Sequence, residues 1–169
     1  MLENTRQGGF GGAVRSFVGL IAFLAACFAT AGLGSLVTTP RINGWYAELD
    51  KPFFNPPSWI FGPVWTVLFL AMAVAGWLVW RQRGFPGAKV ALTLFGIQLF
   101  LNLLWSTLFF GLKSPGVALV EIVVLWTAIL ATLLAFRQKS RTAAALFVPY
   151  LAWVTFATLL NLEIWRLNS

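Results

Sequence analysis

The chain alternates long apolar stretches with short clusters of charge. Arg15 and Arg41 bound an uncharged run over 16–40, and Lys51 and Arg81 bound one over 52–80. Lys89 and Lys113 bound 90–112, Lys113 and Arg137 bound 114–136 with only Glu121 inside, and Arg141 and Glu163 bound 142–162. Each run approaches or exceeds the roughly 20 apolar residues a helix needs to cross hydrocarbon. Strand-like alternation is absent. Backbone groups in lipid must be satisfied within the segment, so runs of this kind form helices. The pattern predicts an all-α integral membrane bundle of five transmembrane helices, at about 16–37, 58–81, 89–111, 115–136 and 142–165.

Residues 1–14 are Gly-rich and read as a flexible N-terminal tail, leaving 15–169 as a single transmembrane domain. The first apolar run is much longer than the 7–15-residue core of a signal peptide, so it reads as a span rather than a cleaved leader. Three connections are short. Gln82 to Ala88 holds Gly84, Pro86 and Gly87, a helix stop and restart. Ser114 and Pro115 read as the N-cap and first residue of the fourth helix. Gln138 to Arg141 is polar and basic. Links this short make neighbouring helices antiparallel. The exception is 38–57, TTPRINGWYAELDKPFFNPP. Loops of more than about 12–15 residues are usually functional or disordered. Its aromatic rings argue for a folded cap on the bundle.

Composition agrees. Of 169 residues, 59% are hydrophobic and 10% charged, against about 45–50% and about 25% in soluble domains. There is no His, which excludes His-based acid–base catalysis, His zinc sites and His-ligated haem. The single Cys27 allows no intrachain disulfide, and no metal site is expected. The net charge of +7 reads as topology rather than nucleic-acid binding. With five spans, one side carries Arg6, Arg15, Arg81, Arg83, Lys89, Arg137, Lys139 and Arg141, and the other Arg41, Lys51, Lys113 and Arg166. In a bacterial inner membrane that bias puts the N-terminus in the cytoplasm.

Nine Trp and 16 Phe are the other anomaly. At about 1.5 Å per residue, Trp65 lies about 10 Å below the long-loop side, Trp105 about 12 Å, Asn102 about 16 Å and Trp153 about 15–20 Å. Three indoles and an amide thus share one half of the bundle. They either line a pocket for a flat aromatic ligand or face core and lipid, and depth does not separate the two. Trp59, Trp77, Trp80 and Trp165 lie near helix ends and read as interface anchors. Gln98 and Asn161 are polar groups inside spans, where interhelical hydrogen bonding is the ordinary role. Glu121, an acid about two turns into the fourth helix, is either functional or a residue that sits near the headgroups or pairs locally.

Several segments resemble one family. Trp45-Tyr46-Ala47-Glu48-Leu49-Asp50-Lys51-Pro52-Phe53-Phe54-Asn55-Pro56-Pro57, Gly62-Pro63-Val64-Trp65, Gln98-Leu99-Phe100-Leu101-Asn102, Phe109-Phe110-Gly111, Val148-Pro149-Tyr150-Leu151-Ala152-Trp153 and Leu160-Asn161 with Trp165-Arg166 occur in the order seen in the TspO/MBR family of tryptophan-rich sensory and translocator proteins. The resemblance covers about 16–168. It implies a five-helix bundle whose cavity, capped by the first loop, binds porphyrins such as protoporphyrin IX, or haem, as ligand with no required cofactor. By position, Trp65, Asn102 and Trp153 match its ligand-site residues, Trp45 a pocket-closing loop residue and Ala157 a small residue beside the pocket; with Gln98 and Trp105 these make up the candidate ligand-binding set. Some bacterial members degrade porphyrin in light, and Trp65 and Trp153 match the tryptophans implicated. Transport of porphyrins or sterols is a further alternative. Members of the family often form dimers, which makes a homodimer one candidate partner beside the lipid bilayer. Leu162 stands where the family's cholesterol motif has Tyr, so tight cholesterol binding is not expected, and this departure is consistent with a bacterial membrane.

Overall fold

The computed structural model describes residues 4–169, with side chains from residue 11 onward. The side chains of most of the expected tail lie outside the described residues, and the backbone from Asn4 already belongs to the first helix. The elements are α1 (Asn4–Ile42), α2 (Trp45–Glu48), a 3₁₀ turn (Ser58–Ile60), α3 (Phe61–Ser106), a π-helical turn (Thr107–Gly111), α4 (Pro115–Arg137) and α5 (Arg141–Leu167). Among the described residues four stretches are long and apolar enough to cross a membrane, one of them the continuous 54 residues Ser58–Gly111.

That long stretch is a hairpin. Gly84 has φ 64° and ψ 175°, and Ala88 is also non-helical, so α3 reverses into two arms, 61–83 and 89–106. The arms lie side by side: Gln98 Nε2 reaches Met72 Sδ at 3.8 Å, and a Cβ on Gly76 would meet Phe95 at 3.2 Å. The chain therefore crosses five times, as an all-α membrane bundle. Only glycine adopts the Gly84 conformation without strain. Gly84→Ala is expected to cost about 1–3 kcal/mol. Gly87→Ala, where a Cβ meets Arg83 at an ordinary 3.4 Å, is expected to be near neutral. Thermal unfolding midpoints of the two variants in detergent check this.

The turns follow local rules with one difference. Ser140 caps α5, its Oγ accepting from Ala143 N at 3.3 Å. Pro115 opens α4, but the Ser114 side chain makes no cap bond. There the backbone is committed first: Ser114 N donates to Leu108 O at 3.1 Å after a left-handed Lys113.

The packing of α1 shapes the site. At the end bearing Arg15, Arg81, Arg137 and Arg141, called the basic end below, α1 is clamped to the first arm of α3. Trp77 Nε1 donates to Ser16 O at 2.8 Å, Trp80 covers Gly19, and Phe23 packs at Gly76. Arg15 lies 5.7 Å over the Trp80 ring and Arg81 4.7 Å over Trp77. These two indoles, read from sequence as interface anchors, thus also fasten helices together. Towards the other end α1 moves across to the second arm, with Gly34 against Ser106 and Val37 against Gly111. This path draws α1 away from the first arm in that half of the bundle.

The 38–57 connection is folded over that end. The Tyr46 hydroxyl donates to Asn55 Oδ1 at 2.9 Å, and the Tyr46 ring packs on Phe109 and Phe110. Burial pushes its phenol up to about 12, so it remains a donor at ordinary pH. Lys51 Nζ donates to the Ala47 and Leu49 carbonyls and lies 5.2 Å over the Tyr46 ring. Asn168, just past α5, accepts from Asp50 N at 3.0 Å and donates to Asp50 O at 2.9 Å.

Candidate functional site

Beneath this cap, where α1 leaves the first arm, is a cavity of about 460 Å³, within the size range of small-molecule sites. One wall is aromatic: Phe61, Trp65 and Phe69 from the first arm, Trp105 and Phe109 from the second arm and its π-turn, and Trp153 from α5. The rings support each other, with Trp105 stacked on Phe109 at 5.3 Å, Phe61 edge-on to Trp153 at 6.0 Å, and Trp65 against Phe69 at 5.7 Å. α1 contributes hydroxyls to the lining, Thr30, Ser35, Thr38 and Thr39, and the side of the first arm adds Thr66 and, just before it, Ser58. Thr30 donates to Ala26 O at 3.0 Å and Thr66 to Gly62 O at 2.9 Å. Their lone pairs remain free to accept from a ligand.

Two amides define the deep side. Asn102 Nδ2 donates to the Tyr150 hydroxyl at 3.1 Å. Trp105 Nε1 donates to Asn161 Oδ1 at 3.1 Å, while Asn161 Nδ2 donates to the Pro115 carbonyl at 2.8 Å. Asn161 thus ties the second arm, α4 and α5 into one frame. Asn102, with its second N–H uncommitted, lines the cavity. Ala157 lines it as well, its small side chain leaving room beside Trp153. Phe28, Ser35, Thr39 and Thr66 are both lining and exposed. The cavity therefore opens through the flank of the bundle, between α1 and the first arm.

Of the residues singled out from sequence, Trp65, Asn102, Trp105, Trp153 and Ala157 come together around this cavity. Two do not line it. Trp45 packs edge-on against Phe109 at 5.8 Å, and its neighbour Tyr46 turns inward instead. Gln98, one turn below Asn102, is fully buried where the two α3 arms close on each other, with its amide on Met72. Glu121 is buried on the inward face of α4 and is not a lining residue. Its two oxygens and Gln98 Oε1 have no hydrogen-bond partner among the described residues. The hydroxyl wall of α1 was not singled out. Its signal was present: Thr30, Gly34 and Thr38 recur every four residues, as do Ala31, Ser35 and Thr39. No lining side chain among the described residues is an acid, an amine, a guanidinium or a thiol. The arrangement offers ring faces, amides and hydroxyls, which suits binding a flat, largely apolar molecule with a few polar substituents.

The TspO/MBR family profile matches residues 23–166. The chain is 45% identical over 149 residues to the tryptophan-rich protein TspO of Chlorobaculum tepidum, covering 86% of this chain and 92% of that protein. It is 43% identical over 148 residues to the tryptophan-rich sensory protein of Cereibacter sphaeroides (88% and 90% covered). To the human translocator protein it is 43% identical over 142 residues (80% and 84% covered).

Proposed function

Since the chain belongs to the TspO/MBR family, we propose that this integral membrane protein is a receptor for tetrapyrroles of the protoporphyrin IX type. The observation that carries the reading is the pairing of an aromatic wall with a hydroxyl wall in one capped cavity. A macrocycle lays its face on Trp65, Trp105 and Trp153, and its polar edge meets the Asn102 amide and the hydroxyls of α1. The names of the relatives, sensory protein and translocator protein, support a role in sensing or handling a small molecule at the membrane. A lining without acid, base or thiol favours binding over hydrolytic or acid–base chemistry.

The test is a titration of the purified full chain with protoporphyrin IX in the dark, followed by the shift of the porphyrin's main absorption band. Saturable one-to-one binding is expected. Ala157→Phe fills the cavity beside Trp153 and is expected to weaken binding about tenfold or more, since overpacking a fitted site typically costs 1–3 kcal/mol. Absence of saturation, or equal affinity in the filled variant, would overturn the reading.

A further inference from the structure

The basic end has a site of its own. Arg15, Arg81, Arg83, Lys89, Arg137, Lys139 and Arg141 gather there, and no acidic side chain among the described residues accompanies them. Glu48, Asp50 and Glu163 belong to the loop end, and Glu121 lies two turns into α4. Arg15 and Arg81 are committed to the faces of Trp80 and Trp77. Arg137 and Arg141 have neither an ion-pair nor an aromatic partner among the described residues. Instead they rim an open notch at the α4–α5 turn, together with Leu134 and Gln138. The turn is held in place: Ser140 is buried, caps α5, and accepts from Gln82 Nε2 of α3 at 3.4 Å. Leu134, 47% exposed, lies one helical turn deeper on the same side of α4. The notch is cationic at its rim and apolar beneath.

We propose that this notch binds the phosphate of an anionic phospholipid from the leaflet at the basic end. Two guanidinium forks four residues apart can grip one phosphate from both sides, as planar donors do better than ammonium groups. The exposed Leu134 gives the acyl chain a path towards the hydrocarbon, which a free phosphate would not use. Setting topology needs charge alone, whereas this site needs the charge at one place in one geometry. Basic pockets between membrane helices are a recognised setting for such headgroups.

The experiment titrates the full chain in mild detergent with phosphatidylglycerol, phosphatidylcholine or inorganic phosphate, and counts bound lipid by native mass spectrometry. Phosphatidylglycerol is expected to be retained about thirtyfold over phosphatidylcholine, from about 1 kcal/mol for each of the two arginines. The preference is expected to vanish in Arg137→Gln/Arg141→Gln and to survive in Arg81→Gln/Arg83→Gln, which removes equal charge from the same end. Arg137→Lys/Arg141→Lys keeps the charge and the helix ends, so it reports even if the glutamine pair does not fold. Loss of the forked donors there is expected to lower retention about threefold. Equal losses in the two glutamine pairs would mean diffuse attraction and overturn the site. So would undiminished retention in the lysine pair, or displacement of the lipid by millimolar phosphate.

Discussion

Trp65→Ala/Trp153→Ala is expected to weaken protoporphyrin IX binding by on the order of 30- to 1,000-fold, the equivalent of about 2–4 kcal/mol for two buried indole faces. The two rings come from different helices, the first arm of α3 and α5, and both line the cavity. Each is also braced from behind, Trp65 by Phe69 and Tyr150 and Trp153 by Phe61 and Phe156. Truncation therefore removes a pre-positioned surface rather than a mobile one, and little of the loss is recovered by rearrangement. Trp65→Phe and Trp153→Phe keep a ring at each place and are expected to lose far less, about threefold each. Porphyrin absorbance titrations of the four proteins, with a melting curve for each, measure this. Wild-type affinity in the double alanine variant would remove the aromatic wall from the binding account.

Gly19→Ala is expected to destabilise the protein by about 2–3 kcal/mol, a large effect for one methyl group. A Cβ at that position would overlap the Trp80 ring, and the ring is not free to leave. Arg15 lies over it, and the neighbouring Trp77 is fastened to Ser16. Forcing atoms into a closed helix contact costs about 1–3 kcal/mol. The contrasting substitution is Gly32→Ala on the same helix, where nothing lies within 4 Å. It is expected to be neutral or to stabilise by up to about 1 kcal/mol, because alanine restricts the unfolded chain. Unfolding midpoints in one detergent compare them. Equal midpoints would mean that α1 is not clamped at the basic end.

The helices were legible in the sequence because charge is expensive in hydrocarbon, so Lys and Arg mark where each apolar run must stop. The reversal at Gly84 was legible for a related reason: Gly84 and Pro86 stand beside Arg81 and Arg83, where the chain can leave lipid. What stayed hidden was direction around each helix axis. Depth along α3 places Gln98 and Asn102 one turn apart and on one face, yet the first faces Met72 across the closed arms and the second faces the cavity. Trp45 and Tyr46 are adjacent, but about 100° of helical rotation sends the smaller ring inward and leaves the indole against Phe109. In α1 apolar residues and glycines occur on every side, so no hydrophobic face announces its partners, although Thr30, Ser35, Thr38 and Thr39 mark a hydroxyl stripe. Its passage from one arm of α3 to the other depends on which glycines meet which rings. That is a tertiary fact, and it creates the hydroxyl wall that the sequence reading passed over.

A cavity whose mouth lies in the flank of the bundle faces the lipid phase. A tetrapyrrole of the kind proposed would reach it as a membrane solute, having partitioned between water and bilayer beforehand. Its thermodynamic activity at the mouth is then set by moles per mole of lipid. Doubling the amount of lipid or detergent dilutes the ligand even when the concentration in the tube is unchanged. Dissociation constants for this protein acquire a common scale only when written as mole fractions in the membrane.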